Sequence, residues 1–515
     1  MSHTIWLLQR VVLAIVLMIG FYVLTFVTVV LLLWIPYTEY RVLHRVDARL
    51  ALGCLWLAYS LVTNLLPRRD PFTPPGLLLD EAKEPRLFGV VREIADATRQ
   101  AMPSEIYLLG EANAFVAQRG GVMGIGSRRV MGIGLPLLHG LPPIELRAVI
   151  AHEFGHYTAS DVALSPWIHT TRSAIARSVA AIDHSIVASP LGWYGRMFMR
   201  LTAMVSKRQE FVADQVSARV VGADVAARAL QRVSEIAPAY VMYSRLDVMP
   251  LLRAGFIPPI HEGFHRFLKS ERYRELVMSV RASVAHAPDA SASDTHPPLP
   301  ARLQALGASP LTTLLPPVAA ATSLLSNPDK YERMLMVGTL GATAVDRLRP
   351  IRWEQVATGI YAAQWRALVT GHGPWLAPLT LETLPKGREA LLAFAKPMKI
   401  PGGIENSVRL RHVSILLGAA LGVRLIDAGW VPEHTPGSPV TLRSGARTFD
   451  PFRAVARLAD GSVSENEWAA RCQQLQIAGP LLPPALAAVV RPISRDTIRD
   501  VAQEEAAARR RRRSW

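Results

Sequence analysis

The 515 residues carry 57 lysines and arginines against 41 aspartates and glutamates, a formal net charge of +16, and half of them are hydrophobic. So apolar a chain is not disordered, and its composition points to a membrane component. Cys54 and Cys472 are its only cysteines, which excludes a disulfide framework and a cysteine zinc site; the positive charge, with no nucleic-acid-binding motif beside it, suits anionic lipid headgroups and argues against a nucleic-acid partner.

Residues 11–36 are uncharged and almost wholly apolar, long enough for a helix that crosses a bilayer, which takes roughly 20 residues. The run closes on Leu33-Trp34-Ile35-Pro36-Tyr37, an aromatic interface anchor, where a signal peptide would have a shorter apolar core and a small-residue cleavage site. A second apolar run over residues 50–66 ends at Pro67-Arg68-Arg69. With residues 37–49 as linker, the two are expected to form a transmembrane hairpin, domain 1–69. Arg41, Arg45 and Arg49 in the linker balance Arg10, Arg68, Arg69 and Lys83 in the flanks, so charge bias leaves the side open. The overall charge and the Arg509–Arg513 run favour the cytoplasmic side for the rest of the chain.

Residues 70–80 read as a proline-rich linker. Leu87, Val90, Val91 and Ile94 give helical periodicity over 84–100. Short strands are expected at 105–109 and 113–117, then a turn at Gly120-Gly121 and further strand to Gly134. An exposed strand edge here could hold an extended peptide by main-chain hydrogen bonds.

Pro142-Pro143 starts a helix, Glu145 adds negative charge at its N-terminus, and Leu146, Val149 and Ile150 give it an apolar face. That helix carries His152-Glu153-Phe154-Gly155-His156. Positions i and i+4 share a face, so the two imidazoles can grip one metal ion, with Glu153 beside the first ligand as a base for a water at the metal. Catalytic zinc takes three protein ligands. Glu210 is a candidate third ligand, and Asp214, one turn on, a carboxylate able to accept a hydrogen bond from a ligand imidazole. The alternative for this pair is a solvated charged helix face.

Four stretches in this order resemble one family, the membrane-bound zinc metallopeptidases that include the HtpX-type proteases and CAAX prenyl endopeptidases. They are Asn113-Ala114-Phe115-Val116, the run from Glu145 to His156, Glu210-Phe211-Val212-Ala213-Asp214, and His296-Pro297-Pro298 followed by Arg302. The resemblance covers roughly residues 80–305. It implies a gluzincin fold, endopeptidase activity, His152, His156 and Glu210 as ligands of one zinc per chain, and Glu153 as general base. It also implies a catalytic place for His296, near a developing oxyanion, and substrate contacts at Asn113 and Phe115. Gln118 and Lys207 depart from the family's pattern, which touches substrate-strand details only. Residues 162–205 contain Arg172, Arg177, Asp183, Arg196 and Arg200, so soluble or interfacial helices are expected where HtpX-type proteins have further spans. The prenyl endopeptidases have more spans than this chain offers.

A second H-E-x-x-H, His261 to His265, follows Pro258-Pro259 with no apolar helix leading in, and is expected to be a coincidence. Residues 306–515 carry no motif that translates into chemistry. They are expected to be mostly helical, with a hairpin over 440–449 turning at Ser444-Gly445 and a capping box Ser464-x-x-Glu467 before a helix with Trp468. The expected fold is α+β and mainly helical: two N-terminal transmembrane helices, a zincin-type metallopeptidase core with a small sheet over 70–305, and a helical extension over 306–515. The expected function is a membrane-anchored zinc endopeptidase acting on protein or peptide substrates in membrane-protein quality control or regulated processing. The alternative is a membrane scaffold whose zinc core is structural.

Overall fold

The computed structural model describes residues 2–65, 72–121, 126–157, 171, 174, 175, 177, 178, 188–285, 296–309, 319–395, 398 and 405–482. The chain is mainly helical with small sheets, in two compact units: Met1–Ser244 with Glu271–Arg347, and Arg245–Ser270 with Leu348–Trp515. This differs from the expected division at 305/306. The buried carboxylate of Glu84 accepts from the Ser326 N–H at 2.7 Å and the Tyr331 hydroxyl at 2.6 Å, and the Ala321 N–H donates to the Leu141 carbonyl. Buried polar groups need partners, so the chain beyond 305 completes the first unit. In the second, Phe256–Ile257 pairs in parallel with Arg349–Pro350, which ties residues 245–270 to the later chain.

The first unit begins with α1 (Ser2–Leu43) and α2 (Ala48–Leu65). Among the described residues, the stretch Ile15–Leu43 of α1 is the one long and apolar enough to cross a membrane by length and composition. The linker expected at 37–49 is shorter. Helix α1 runs through Pro36 to Leu43, with the Thr38 hydroxyl donating to the Ile35 carbonyl at 2.8 Å beside the proline. Leu17 and Phe21 of α1 and Cys54, Ala58 and Leu61 of α2 pack together with Ala174, Ile175 and Phe198. The outer faces stay apolar and exposed, including Phe26, Trp56 and Tyr59.

The proline-rich stretch contains a short strand, β1 (Leu77–Leu78), where only linker was expected. Helix α3 (Pro85–Thr98) follows, with Leu87, Val91 and Ile94 on its buried face. Then come β2 (Glu105–Leu109), β3 (Ala114–Arg119) and β4 (Arg128–Gly134). The sheet order is β1-β2-β4-β3, with β2 and β4 parallel and both outer pairs antiparallel. Strand β2 sits inside, which explains its continuous buried run Ile106–Leu109. Strand β3 is an edge. Gly134 ends β4 where an added Cβ would run into the Glu111 and Asn113 carbonyls.

After α4 (Leu135–Gly140), helix α5 (Pro143–Gly155) starts with Pro143 at its first position. Leu146, Ile150 and Phe154 are fully buried along one face. Glu145 does more than complement the helix dipole: it is buried and paired with Arg232 at 2.6 Å. Helix α6 (Ala188–Val221) and α7 (Ala223–Tyr243) pack against α5. The beginning of α6 packs on α1, where the Tyr194 hydroxyl donates to the Leu17 carbonyl over Gly20.

In the second unit, the helix Asn406–Asp427 is the core, with Leu416, Leu417, Ala420 and Leu421 buried. The strands Thr441–Ser444 and Arg447–Phe449 form a hairpin, joined by a third strand, Val431–Glu433. Ser464 and Glu467 make their capping box, and Trp468 donates its indole N–H to the Leu381 carbonyl at 2.6 Å. Cys54 and Cys472 are both buried free thiols.

Candidate active site

Helix α5 carries His152 and Glu153 in its last turn. His156 caps it with helical dihedrals (φ −61°, ψ −18°), so the i, i+4 relation to His152 survives the helix end. The two rings stand edge to face, 4.8 Å apart at their centroids. Glu210, buried on α6, faces both: its carboxylate oxygens lie 3.6 Å from His152 Nε2 and 3.8 Å from His156 Nε2. Helices α5 and α6 come this close because position 155 is glycine. A Cβ there would stand 2.6 Å from Ala213 Cα, and Ala213 lies between Glu210 and Asp214 on the facing helix.

Asp214 accepts from His152 Nδ1 at 3.0 Å. That bond fixes the ring and leaves the Nε2 lone pair aimed at Glu210 and His156. Burial, then the neighbouring His152, pushes the His156 imidazole down to about 4, which keeps it neutral near pH 7 and its lone pair available. One ligand atom from each of His152, His156 and Glu210 lies within 4.8 Å of the others. Two imidazoles and a carboxylate, one imidazole oriented by a further carboxylate, is a donor set that fits zinc.

Arg302 completes the arrangement. It forks onto Asp214 (Nε–Oδ2 2.8 Å, Nη2–Oδ1 2.7 Å) and reaches Glu210 Oε2 with Nη1 at 3.1 Å. Burial pushes both carboxyls upward. The His296 hydrogen bond and Arg302 hold Glu210 below its ordinary value, and Arg302 and His152 do the same for Asp214. His296 is largely exposed at the mouth and hydrogen-bonds Glu210 Oε1 through Nδ1 at 2.8 Å, which raises its pKa. Its ring therefore meets the Glu210 carboxylate, a contact the resemblance to an oxyanion-stabilising residue did not include. Arg302 was legible only as the tail of the His296-Pro297-Pro298 stretch; its fork onto two carboxylates far away in sequence is a product of the fold.

Glu153 points toward β3. Burial pushes its carboxyl up to about 7, against the pull of His152, and it accepts a hydrogen bond from the Val116 N–H. The Gly134 N–H donates to the Asn113 carbonyl, so in the antiparallel alternation Ala114, Val116 and Gln118 turn their main-chain groups outward. The Tyr157 hydroxyl donates to the Val116 carbonyl at 3.0 Å, and Arg129 lies over the Tyr157 ring at 4.6 Å. The β3 edge is thus partly used by Glu153 and Tyr157, and Ala114 is the outward position that they leave in the cleft beside His152 and His156. The Phe115 main chain is directed to β4 and its ring lies against Gly132. Phe115 therefore contributes a wall, and Asn113 lies exposed at the strand start.

Asn113, Ala114, Phe115, His152, Glu153, His156, Glu210, Asp214, His296 and Arg302 line one cleft of about 360 Å³. The second H-E-x-x-H lies in the other unit, on the helix Ile260–Phe267, with Glu262 ion-paired to Arg266 and Arg266 also to Glu354 at 2.6 Å. None of its residues lines this cleft.

Residues 81–309 match the family model of peptidase family M48. Over 194 residues the chain is 28% identical to a Protease HtpX homolog of Nostoc punctiforme (strain ATCC 29133 / PCC 73102), a stretch that is 34% of this chain and 65% of the relative, just under two thirds of its length. Over 263 residues it is 25% identical to Protease HtpX of Escherichia coli (strain K12), 45% of this chain and 76% of that relative. No solved structure matches the chain.

Proposed function

We propose, from the match of residues 81–309 to the family model of peptidase family M48, that this protein is a membrane-anchored zinc endopeptidase that holds one zinc per chain on His152, His156 and Glu210. The observation that carries the reading is the convergence of those three ligand atoms beside Glu153, with Asp214 orienting the first imidazole. A zinc ion bound there supplies Lewis acidity toward the scissile carbonyl and the attacking water. Glu153 takes the proton of that water and delivers it to the leaving amine. Its carboxyl, held near neutrality by burial, suits a group that must both accept and release a proton. Asp214 and Arg302 hold His152 and Glu210 in place. His296 at the mouth is positioned to reach the reacting carbonyl from the solvent side once it leaves Glu210. The substrate main chain pairs with the outward groups of Ala114, with Asn113 and Phe115 flanking it.

Two helices, α1 and α2, form the anchor in this reading. Its support is the apolar outer face of both, which water would not tolerate over so large an area. The net charge of +16 favours the cytoplasmic face of a bacterial inner membrane for the catalytic unit. The likeness to HtpX proteases favours turnover or processing of membrane proteins as the role.

Glu153→Gln decides between enzyme and structural zinc centre. The expected result is retained zinc by elemental analysis and proteolysis reduced by 10²-fold or more, the lower range for losing a general base. Unchanged proteolysis in the folded variant would remove Glu153 as the base, and a wild-type protein that cuts no peptide would leave only the scaffold reading. The anchor is tested by flotation: the full chain should rise with liposomes after alkaline carbonate washing, and a chain lacking residues 1–69 should not. Continued flotation of the shortened chain would move the anchor elsewhere.

A further inference from the structure

Tyr157, the residue after His156, has no part in the chemistry above, and its hydroxyl is held between two main-chain groups of β3. It donates to the Val116 carbonyl at 3.0 Å and accepts from the Gln118 N–H. A phenol hydroxyl both donates and accepts, so Tyr157 meets the strand much as one residue of a parallel neighbour would. The ring is fixed in that position. Arg129 lies over it at 4.6 Å and is itself tied to the Gln100 side-chain oxygen at 3.3 Å and the Ala101 carbonyl at 3.1 Å. Gln100 also donates to the Tyr157 carbonyl at 3.2 Å. The cleft stops at the same place: Asn113, Ala114 and Phe115 line it, and β3 from Val116 onward does not.

We infer that Tyr157 is a stop on the strand edge: it keeps a bound peptide from pairing with β3 beyond Ala114, so the peptide turns away from the sheet at Val116. The inference rests on the peptidase reading. It follows from where the outward main-chain groups of β3 already go. Glu153 takes the Val116 N–H, and Tyr157 takes the Val116 carbonyl and the Gln118 N–H. A peptide continuing along the edge would exchange these hydrogen bonds for its own, with little net gain. It would also have to displace a ring that lies against a guanidinium. The consequence is a specificity. Adding a strand to an open edge normally rewards every further extended residue with main-chain hydrogen bonds. Here, on one side of the scissile bond, that reward ends after the residue at Ala114. Long extended segments lose their advantage, and the favoured substrates are short exposed loops that bend beside the scissile bond.

The test uses zinc-loaded full-length protein and two series of alanine peptides, each with one hydroxamate to grip the metal. One series lengthens on the amino side of the hydroxamate and the other, built on succinyl hydroxamate, on the carboxyl side. Binding is measured by calorimetry, independently of turnover. In the wild type, affinity in one series should level off after the residue that pairs with Ala114. Tyr157→Phe keeps the ring and frees the Val116 carbonyl and the Gln118 N–H. In that variant the same series should gain about threefold or more from the next residue, the scale of one modest hydrogen bond, with zinc content unchanged. Arg129→Gln loosens the ring while keeping the hydroxyl; it should give a smaller gain in the same series, and serves if Tyr157→Phe does not fold. Steady gains along both series in the wild type, or a plateau that neither folded variant lifts, would overturn the stop. Failure of every hydroxamate to bind would overturn the peptidase reading and the stop together. A plateau lifted by Tyr157→Phe, in a protein that in wild-type form cuts no peptide, would keep the stop and overturn the peptidase reading alone.

Discussion

Glu210→Ala is expected to lose both bound zinc and proteolysis, while Asp214→Ala keeps zinc with affinity reduced about 10–100-fold, the usual loss when a partner of a ligand imidazole is removed. The difference follows from placement. Glu210 faces both Nε2 atoms, whereas Asp214 touches only Nδ1 of His152, on the far side of the ring. Arg302→Ala should show a third pattern. It strips the cation from two buried carboxylates, and breaking a buried ion pair costs about 3–5 kcal/mol, so the loss should appear first in thermal stability and then in zinc affinity. Zinc content, melting temperature and peptidase rate on the same preparations separate the three. A folded Glu210→Ala protein that keeps stoichiometric zinc would show the third ligand to be misassigned. His261→Ala and Glu262→Ala should leave zinc at this site and activity nearly unchanged, because neither lines the cleft.

Gly155→Ala, a single added methyl, is expected to weaken zinc binding strongly. Its Cβ would stand 2.6 Å from Ala213 Cα and 3.1 Å from Ala213 Cβ, backbone that cannot rotate away, so α5 and α6 must part where Glu210 reaches across to the histidines. Overpacking of this kind costs about 1–3 kcal/mol. The effect on zinc should exceed that on stability, because the displacement falls on the ligand geometry itself. Gly89→Ala on α3, where an added Cβ meets nothing within 4 Å, is the control and should be neutral or stabilising by roughly 0.5–1 kcal/mol. Parent-like zinc affinity in Gly155→Ala would refute the close-approach argument.

The sequence by itself determined the helix that carries His152, Glu153 and His156. Pro143 at the first helical position, the apolar positions Leu146 and Ile150, and two histidines one turn apart are local facts, governed by the 3.6-residue period. The strand at 105–109, the one expected at 113–117 and found at Ala114–Arg119, the hairpin over 440–449 and the Ser464 capping box were legible for the same reason: turn residues and side-chain alternation act over a few residues. The apolar character of α1 was equally plain, though not its continuation through Pro36 to Leu43.

What the tertiary structure alone decided involves groups far apart in the chain. Glu84 finds its partners at Ser326 and Tyr331, which moves the boundary of the first unit past 305. Arg302 forks onto Asp214 and Glu210, and Glu145, legible only as an N-terminal charge, is buried against Arg232. Glu153 and Tyr157 occupy Val116, so the strand edge is partly filled, a fact that the alternation of β3 alone could not contain. Local pattern fixes which face a residue occupies; only packing between elements fixes what that face meets.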